Sequence, residues 1–379
     1  MNNIQNLEQL GQSIWYDSIS RGVVLRGELK KMVDEGLSGV TSNPTIFDKA
    51  ISGSNDYEDQ MRELIQSNPS IDAEEIIQAL MVTDIQMACE VLKPAYDRTK
   101  RRDGYVSVEV SPGKARNTQA SIKEVRELWR KINRKNLMVK IPATKEGIPA
   151  IEQCVSEGMN INVTLIFSVE RYREVANAYI TGLERRLKDN KPLDHVRSVA
   201  SVFVSRIDTL VDELLQKKIA ATTDSEQAEK LRSLSGKAAV ANTKMVYQAF
   251  KEIFGSPRFE ALEGKSANLQ RPLWGSTGTK NPAYSDLLYV DALIGPHTVN
   301  TVPPQTYAAI LNHGKPMTTV DFDLSGTRRV LNDIAAVGID MKWVLQKLED
   351  DGVASFERSF DGLYKNVLDK RKALAAIVV

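Results

Sequence analysis

Eight short apolar runs alternate with longer segments of helical periodicity along this chain of 379 residues, and this alternation constrains its fold more than any other feature. Segments such as residues 71–97 and 120–133 repeat apolar residues at helical spacing. The short runs, which often end in polar residues, cover residues 14–17, 39–43, 105–110, 137–141, 161–167, 199–207, 271–277 and 297–302. A β-α unit repeated eight times predicts an α/β protein with one (β/α)8-barrel domain over residues 1–379.

The competing architecture is an open, doubly wound sheet. Such a sheet usually carries a Gly-rich turn directly after its first strand, and no G-x-G-x-x-G motif follows any of the eight predicted strands. The Gly-rich stretch at residues 274–281, WGSTGTKN, does not fit the phosphate-binding pattern G-x-x-x-x-G-K-[ST]. The sequence therefore favours the closed barrel and argues against a nucleotide triphosphate site.

Two stretches exceed what a minimal barrel needs. Residues from about 207 to 268 predict two long helices joined by the polar connection TTDSEQ, inserted before the seventh strand. Residues from about 323 to 379 are amphipathic and helical, and we expect them to form a C-terminal extension that acts as a lid or a packing helix.

Composition excludes several classes of protein. Lys and Arg total 50 against 49 Asp and Glu, a net charge of +1, so no nucleic-acid partner is expected. Two cysteines and three histidines form no cluster with metal-ligand spacing, which argues against a metal site and a disulfide scaffold. The N-terminal stretch lacks a basic segment followed by an apolar run, and no stretch approaches about 18 apolar residues. We expect a cytoplasmic protein without a membrane partner.

Alternation along the strands predicts that polar and ionisable side chains converge inside the barrel. In the fourth strand Lys140 shares a face with Met138, whereas Val139 lies on the opposite face. Burial disfavours the ammonium form and so favours the neutral amine that forms imines with carbonyls. The same parity, or a position directly after a strand, brings inward Asp17, Thr41, Asn43, Glu109, Asn162 and Thr164.

Further polar residues follow the sixth and seventh strands. Arg206 and the loop from Ser276 to Lys280 lie where barrels commonly bind phosphate. Each residue also has an ordinary structural explanation: Asn43 before Pro44 is a turn signal, and Arg206 could pair with Asp208. Convergence of ionisable groups in one barrel favours a functional site, because their burial is costly unless the site uses them.

Five motifs, in order along the chain, resemble those of the transaldolase family. The resemblance runs from about residue 10 to residue 320, and the segments at 274–286 and 297–307 are similar to the longer bacterial members. The motifs are WYDSISR with Asp17, GVTSNPTIF with Asn43, VSVEVSP with Glu109, LMVKIPAT with Lys140, and INVTLIFS with Asn162 and Thr164.

The resemblance implies a class I enzyme without metal or cofactor that moves a dihydroxyacetone unit from sedoheptulose 7-phosphate to glyceraldehyde 3-phosphate, in the non-oxidative pentose phosphate pathway. It implies that Lys140 forms the Schiff base and that Asp17 moves the C4 hydroxyl proton during C–C cleavage. It further implies a proton shuttle through Glu109, Thr164 and a water. The implied substrate-binding residues are Asn43, Asn162, Ser201 and Arg206.

The sequence departs from the family at two places, both in the region expected to bind phosphate. The strand-six pattern S-P-F-V-G-R reads here Ser201-Val202-Phe203-Val204-Ser205-Arg206, and the second arginine of shorter relatives has no clear counterpart. Ser276 and Lys280 are the candidates to replace that arginine. The alternatives are a fructose 6-phosphate aldolase-like enzyme and a non-catalytic phosphosugar-binding barrel, and the sequence leaves open a monomer or a homodimer.

Overall fold

Eight parallel strands close into one barrel in the computed structural model, which describes residues 1–378. Each strand pairs with the next one along the chain, and the last pairs with the first, which confirms the predicted (β/α)8 architecture. The strands are β1 (Gln12–Tyr16), β2 (Gly39–Thr41), β3 (Tyr105–Glu109), β4 (Leu137–Pro142), β5 (Ile161–Ile166), β6 (Ser198–Phe203), β7 (Gln270–Gly275) and β8 (Thr298–Val302).

Helices follow the strands, and several connections hold more than one. The helices are α1 (Asn3–Gln9), α2 (Arg21–Leu25), α3 (Glu28–Asp34), α4 (Pro44–Ser52), α5 (Glu58–Ser67), α6 (Ala73–Arg98), α7 (Thr118–Ile132), α8 (Gly147–Glu157), α9 (Val169–Lys188), α10 (Ser205–Ala221), α11 (Ser225–Leu234), α12 (Ala238–Phe254), α13 (Pro257–Glu263), α14 (Leu288–Asp291), α15 (Pro304–His313), α16 (Leu324–Ala336) and α17 (Met341–Val378). A 3-10 turn spans Pro112–Lys114.

The alternation along the strands divides the core in two. Val106 and Val108 of β3 belong to the large cluster of buried side chains that includes the helices, as predicted for outward positions. Tyr105 and Met138 belong to a separate cluster with Trp15 inside the barrel. Gly39 makes room for Trp15, because a Cβ at that glycine would overlap the indole ring.

Buried hydrogen bonds close the N-terminal end of the barrel. The Asp103 carboxylate accepts from Ser13 Oγ at 2.7 Å and from Trp15 Nε1 at 3.0 Å, and it pairs with Arg271 at 3.0 Å. All four side chains are nearly inaccessible to solvent. Substrate access is therefore left to the C-terminal end, where barrel enzymes carry their active sites.

The fifth strand departs from regular alternation. The sequence predicts that Leu165 faces outward beside Val163, but the pairing with β6 shifts register between Val163 and Ile166, and Leu165 has a φ of 60°. A left-handed backbone is unfavourable for leucine, and such bulges often lie next to active sites. Leu165 nevertheless belongs, like Val163, to the large cluster of buried side chains that includes the helices.

The insertion between β6 and β7 is helical throughout most of its length. It consists of α10, α11, α12 and α13. The prediction of a polar connection at TTDSEQ was wrong in part, because Ser225–Leu234 forms α11, capped by the Asp224 carboxylate on the Glu226 backbone N–H at 2.9 Å. Polar composition hid a short helix that packs against α10.

The 38-residue helix α17 packs against several helices and against β5 at the C-terminal end of the barrel. It contacts α4, α5, α6 and α10. Gly352 allows its close approach, since a Cβ there would lie 2.9 Å from Leu165 Cδ2 and 3.6 Å from Arg206 Nη1. The predicted extension also included Val379, which lies outside the described residues.

Two glycines of α17 provide a test of this contact. Gly352→Ala and Gly362→Ala each gain about 1 kcal/mol of intrinsic helix propensity. A methyl group at Gly362 would lie 3.7 Å from Asp48 Oδ2, an ordinary contact, whereas Leu165 must move to accept one at Gly352. In urea unfolding we expect Gly362→Ala to raise the free energy of unfolding and Gly352→Ala not to raise it. Equal stabilisation by both would contradict the close contact.

Candidate active site

A cavity of about 100 Å³ opens at the C-terminal end of the barrel. We call it the front cavity. It brings together six residues that the sequence predicts for the site, namely Asp17, Asn43, Lys140, Ser201, Arg206 and Ser276. Its other wall residues are Thr41, Phe203, Leu273, Gly275, Thr301 and Phe356. Polar groups from the strand ends thus face one space that α17 partly covers through Phe356.

Lys140 and Glu109 form a buried ion pair. They lie opposite each other in the register of β3 and β4, and Lys140 Nζ is 3.1 Å from Glu109 Oε2. Their side chains are only 5% and 3% exposed, respectively, so nearly all solvation of both charges is lost. Lys140 Nζ also donates to the Ser42 carbonyl oxygen at 3.1 Å, a partner that the sequence analysis did not identify.

The surroundings of Glu109 favour its protonated form more than water does. Burial raises the pKa of Glu109, although the neighbouring Lys140 charge acts in the opposite direction. A carboxyl group with a raised pKa takes up a proton more readily at neutral pH. Glu109 can therefore accept and return a proton next to the Lys140 amine.

Asp17 follows β1 and is held from two sides. Its backbone N–H donates to the Val302 carbonyl at 2.9 Å, and Thr41 Oγ1 donates to its Oδ1 at 2.7 Å. Thr301 Oγ1 lies 2.6 Å from Thr41 Oγ1 and can donate to it. Burial raises the pKa of Asp17, whereas Lys140 and the Thr41 hydrogen bond lower it. The arrangement fixes a carboxyl group that can exchange a proton in the front cavity.

A chain of hydrogen bonds links three strands beside Lys140. Ser201 Oγ donates to Asn162 Oδ1 at 2.6 Å, and Asn162 Nδ2 donates to Ser107 Oγ at 3.0 Å. Asn162 is fully buried and does not line the front cavity, so it contacts that space through Ser201. Thr164 is fully buried as well, and its hydroxyl has no hydrogen-bond partner among residues 1–378.

Asn43 both caps helix α4 and lines the front cavity. Its Oδ1 accepts from the Ile46 backbone N–H at 3.0 Å and so caps α4, with Pro44 at the first helical position. Its side chain also lines the front cavity. The turn signal in the sequence is therefore correct, and it does not exclude a place in the site.

Arg206 is a cation without a carboxylate partner within salt-bridge distance in the described part of the chain. Its guanidinium lies over the rings of Phe203 and Phe356, at 5.1 and 6.0 Å from their centroids, and burial lowers its pKa. The alternative that it pairs with Asp208 is wrong. Asp208 is buried, and it accepts from the Ala239 backbone N–H at 2.8 Å.

The loop after β7 places its two predicted residues differently. Ser276 lines the front cavity, and its Oγ lies 3.0 Å from Ser205 Oγ at the start of α10. Lys280 is not part of the cavity wall. Loss of hydration at its amine and the Arg206 charge lower the pKa of Lys280.

Sequence reasoning missed several residues of the site. Ser42 contributes a backbone carbonyl, which no side-chain pattern reveals. Thr301 and Phe356 reach the front cavity from β8 and α17, far along the chain from the five motifs. Only the inward parity of β8 could have indicated Thr301, and nothing in the helical pattern of α17 points to Phe356.

Residues 1–378 contain no group of three or more His, Cys, Asp or Glu side chains arranged to hold a metal. In the same residues, none of the helices is both long and apolar enough to span a bilayer.

Fold and site together define a (β/α)8-barrel enzyme with a lysine-centred site at the C-terminal end of its strands. A model of the Transaldolase/Fructose-6-phosphate aldolase family matches residues 14–367. The chain is 43% identical over 379 residues to a transaldolase of Trichodesmium erythraeum, covering 99% of both chains. It is 43% identical over 364 residues to a transaldolase of Mycobacterium tuberculosis, covering 95% of both. This protein belongs to the transaldolase/fructose 6-phosphate aldolase family.

The Thr41→Val variant tests whether the Thr41 hydroxyl lowers the pKa of Asp17. Thr41→Val takes away the hydrogen bond that stabilises the carboxylate, so the pKa of Asp17 should rise further and its ionised fraction at a given pH should fall. The measurement is a pH titration of ¹³C-labelled aspartate carboxyls by NMR, with the signal assigned through Asp17→Asn. Thr301→Val is the control, because it leaves the Thr41 donor in place. A titration of Asp17 unchanged by Thr41→Val would contradict this role of Thr41.

Proposed function

We propose that this enzyme transfers a dihydroxyacetone unit from sedoheptulose 7-phosphate to glyceraldehyde 3-phosphate, giving erythrose 4-phosphate and fructose 6-phosphate. The observation that carries the proposal is the buried Lys140–Glu109 pair next to Asp17. An amine, a proton acceptor beside it and a second carboxyl are the groups that Schiff-base cleavage of a ketose requires. The transaldolases of similar length and sequence support the same reaction.

Lys140 is the proposed nucleophile. Proton transfer from its ammonium group to Glu109, 3.1 Å away, frees the amine to add to the ketose carbonyl. Glu109 then returns a proton to the carbinolamine hydroxyl, which leaves as water. The iminium ion withdraws electrons from the C3–C4 bond, and the buried environment strengthens this electrostatic effect.

Asp17 is the proposed acid and base for the C–C bond. It accepts the C4 hydroxyl proton during cleavage and returns a proton when the acceptor aldehyde adds, and its raised pKa suits both directions. Asn43 and Ser201 are the proposed contacts of the substrate hydroxyls from the cavity wall. Asn162 acts through Ser201, to which it is hydrogen bonded, and Thr164 assists Glu109.

Arg206 is the proposed phosphate ligand, with Ser276 and Lys280 beside it. A partly buried guanidinium without a carboxylate partner leaves its charge for a substrate anion. Arg206 also lies in the first turn of α10, a 17-residue helix whose N-terminus favours negative charge. Lys280 would approach a phosphate from outside the cavity wall, where repulsion from Arg206 disappears once the anion binds.

Transfer is favoured over release of free dihydroxyacetone. The front cavity is bounded by Phe203 and Phe356, and α17 packs against this end of the barrel. These apolar side chains limit water around a three-carbon unit held on Lys140, so that the unit is retained until an acceptor arrives. We further propose sugar phosphates as the natural substrates, no nucleic-acid or membrane partner, and the cytoplasm as the location.

Replacing the lysine tests the central step. Lys140→Ala should lower turnover by about three orders of magnitude or more, because no imine forms. The fold should stay intact. The assay combines transfer activity with intact-mass analysis after incubation with fructose 6-phosphate and borohydride. Lys145→Ala, on an exposed residue of the following loop, is the matched control. Asp17→Ala keeps the amine and should still be trapped, but without C–C cleavage. Substantial activity of Lys140→Ala would refute the assignment.

Donors with and without a phosphate group test whether Arg206 and Lys280 bind the substrate phosphate. Arg206→Gln should raise the KM for fructose 6-phosphate by about ten- to hundredfold, as expected for the loss of a charged hydrogen bond. Lys280→Gln should have a smaller effect in the same direction. With unphosphorylated fructose as the donor, both variants should match the parent protein. An equal loss with both donors would show that Arg206 supports the fold rather than the phosphate.

A further inference from the structure

The loop between β7 and α14 is fixed at its first residues. We call residues 276–287 the β7 loop. The Ser276 carbonyl oxygen accepts from the Ser205 backbone N–H at 3.0 Å, and Thr277 Oγ1 donates to Asn300 Oδ1 at 2.9 Å. Thr277 and Asn300 are inaccessible to solvent. The end of the loop that carries Ser276 is therefore held at the front cavity without help from the rest of the loop.

The far part of the β7 loop forms a closed turn around Lys280. Thr279 Oγ1 donates to the Ser285 carbonyl oxygen at 2.8 Å, and the Tyr284 backbone N–H donates to the Asn281 carbonyl oxygen at 3.1 Å. Lys280 lies within both of these closed segments. A contact that fixes Tyr284 therefore also restricts the backbone position of Lys280.

Tyr284 is fixed to the helix insertion. Its hydroxyl donates to Asp212 Oδ2 at 2.8 Å, and the Gly236 backbone N–H donates to Asp212 Oδ1 at 2.9 Å. The Tyr284 ring covers Gly236, because a Cβ at that glycine would lie 2.8 Å from Tyr284 Cζ. Burial and the Asp212 carboxylate raise the pKa of Tyr284, so its hydroxyl stays protonated and donates. One carboxylate of α10 thus joins the β7 loop to the turn between α11 and α12.

A second carboxylate makes a similar link one helical turn earlier in α10. Asp208 accepts from the Ala239 backbone N–H at 2.8 Å, near the start of α12, and from the Tyr289 hydroxyl at 2.9 Å. Tyr289 belongs to α14, directly after the β7 loop. Residues four apart share one face of a helix, so Asp208 and Asp212 hold the same side of α10 against the segment that follows β7.

Helix α10 also carries Arg206, in its first turn. Arg206 lines the front cavity, whereas neither Tyr284 nor Asp212 does. Loss of hydration and the Arg206 charge lower the pKa of Lys280, as expected when a second cation repels the amine. This repulsion favours positions of the long Lys280 side chain away from Arg206 while no anion is bound. The link from Tyr284 to α10 opposes such a displacement of the loop.

We infer that the hydrogen bond between Tyr284 and Asp212 positions Lys280 beside Arg206 to bind the substrate phosphate. Tyr284 and Asp212 are positioning residues that act through Lys280, because Ser276 is already held by Ser205. The inference rests on the proposed role of Arg206 and Lys280 as phosphate ligands. A lysine held in place before the anion arrives loses less conformational freedom on binding than a mobile one. The insertion before β7 thus supports the phosphate site.

Removing one hydroxyl group tests the inference. Tyr284→Phe loses the donor to Asp212 and keeps the ring over Gly236, so the local packing is preserved. The measurement is the initial rate of borohydride-trapped adduct on Lys140 at a series of sugar concentrations, which needs no acceptor. We expect the half-saturating concentration of fructose 6-phosphate to rise about three- to tenfold, with an unchanged maximal rate. Tyr364→Phe, at an exposed tyrosine of α17, is the matched control.

Two comparisons separate a positioning role from a general effect on the fold. With unphosphorylated fructose, Tyr284→Phe should trap at the parent rate at each concentration, because no phosphate is bound. In the Lys280→Gln background, Tyr284→Phe should add little to the half-saturating concentration of fructose 6-phosphate, since the cation that Tyr284 positions is absent. Lys280→Gln alone should raise that concentration at least as much as Tyr284→Phe does.

The inference and the proposed function fail in different ways. If Lys280→Gln raises the half-saturating concentration and Tyr284→Phe does not, the positioning contact is refuted and Lys280 remains a phosphate ligand. Additive effects of the two substitutions, or an equal loss with fructose, would also overturn it, because Tyr284 would then act elsewhere. An unchanged value in Lys280→Gln refutes the proposed role of Lys280, and absence of any adduct in the parent protein refutes the proposed Schiff base.

Discussion

The rest of the site depends on the buried ion pair between Lys140 and Glu109. Two charges with side chains 5% and 3% exposed lose most of their hydration, and only their 3.1 Å contact and a few hydrogen bonds offset that cost. Loss of either partner would leave an uncompensated charge. The register of β3 and β4 places the two residues side by side, so the closed barrel itself enforces the pair.

Helix α17 encloses the site around this ion pair. It contributes Phe356 to the wall of the front cavity. Gly352 allows the approach, and the bulge at Leu165 gives the opposing surface its shape. A helix from the C-terminal region therefore bounds the substrate side of the site.

Much of the fold and of the candidate site could be predicted from the sequence. Strand alternation is a local property with a period of two, and it placed Lys140, Glu109 and Asn162 on the inner face of their strands. It did not reveal the bulge at Leu165, and a polar composition concealed α11. Local patterns describe regular segments well and irregular ones poorly.

The sequence alone determined the closed (β/α)8 barrel, the inward lysine and the family, because periodicity and motif order are written along the chain. Only the tertiary structure decided that Arg206 has no carboxylate partner within salt-bridge distance among residues 1–378 and that Phe356 reaches the front cavity. It also decided that Lys140 donates to the Ser42 carbonyl oxygen. These features arise from packing between segments distant in sequence, and the free energy of such contacts depends on shapes that no local pattern encodes.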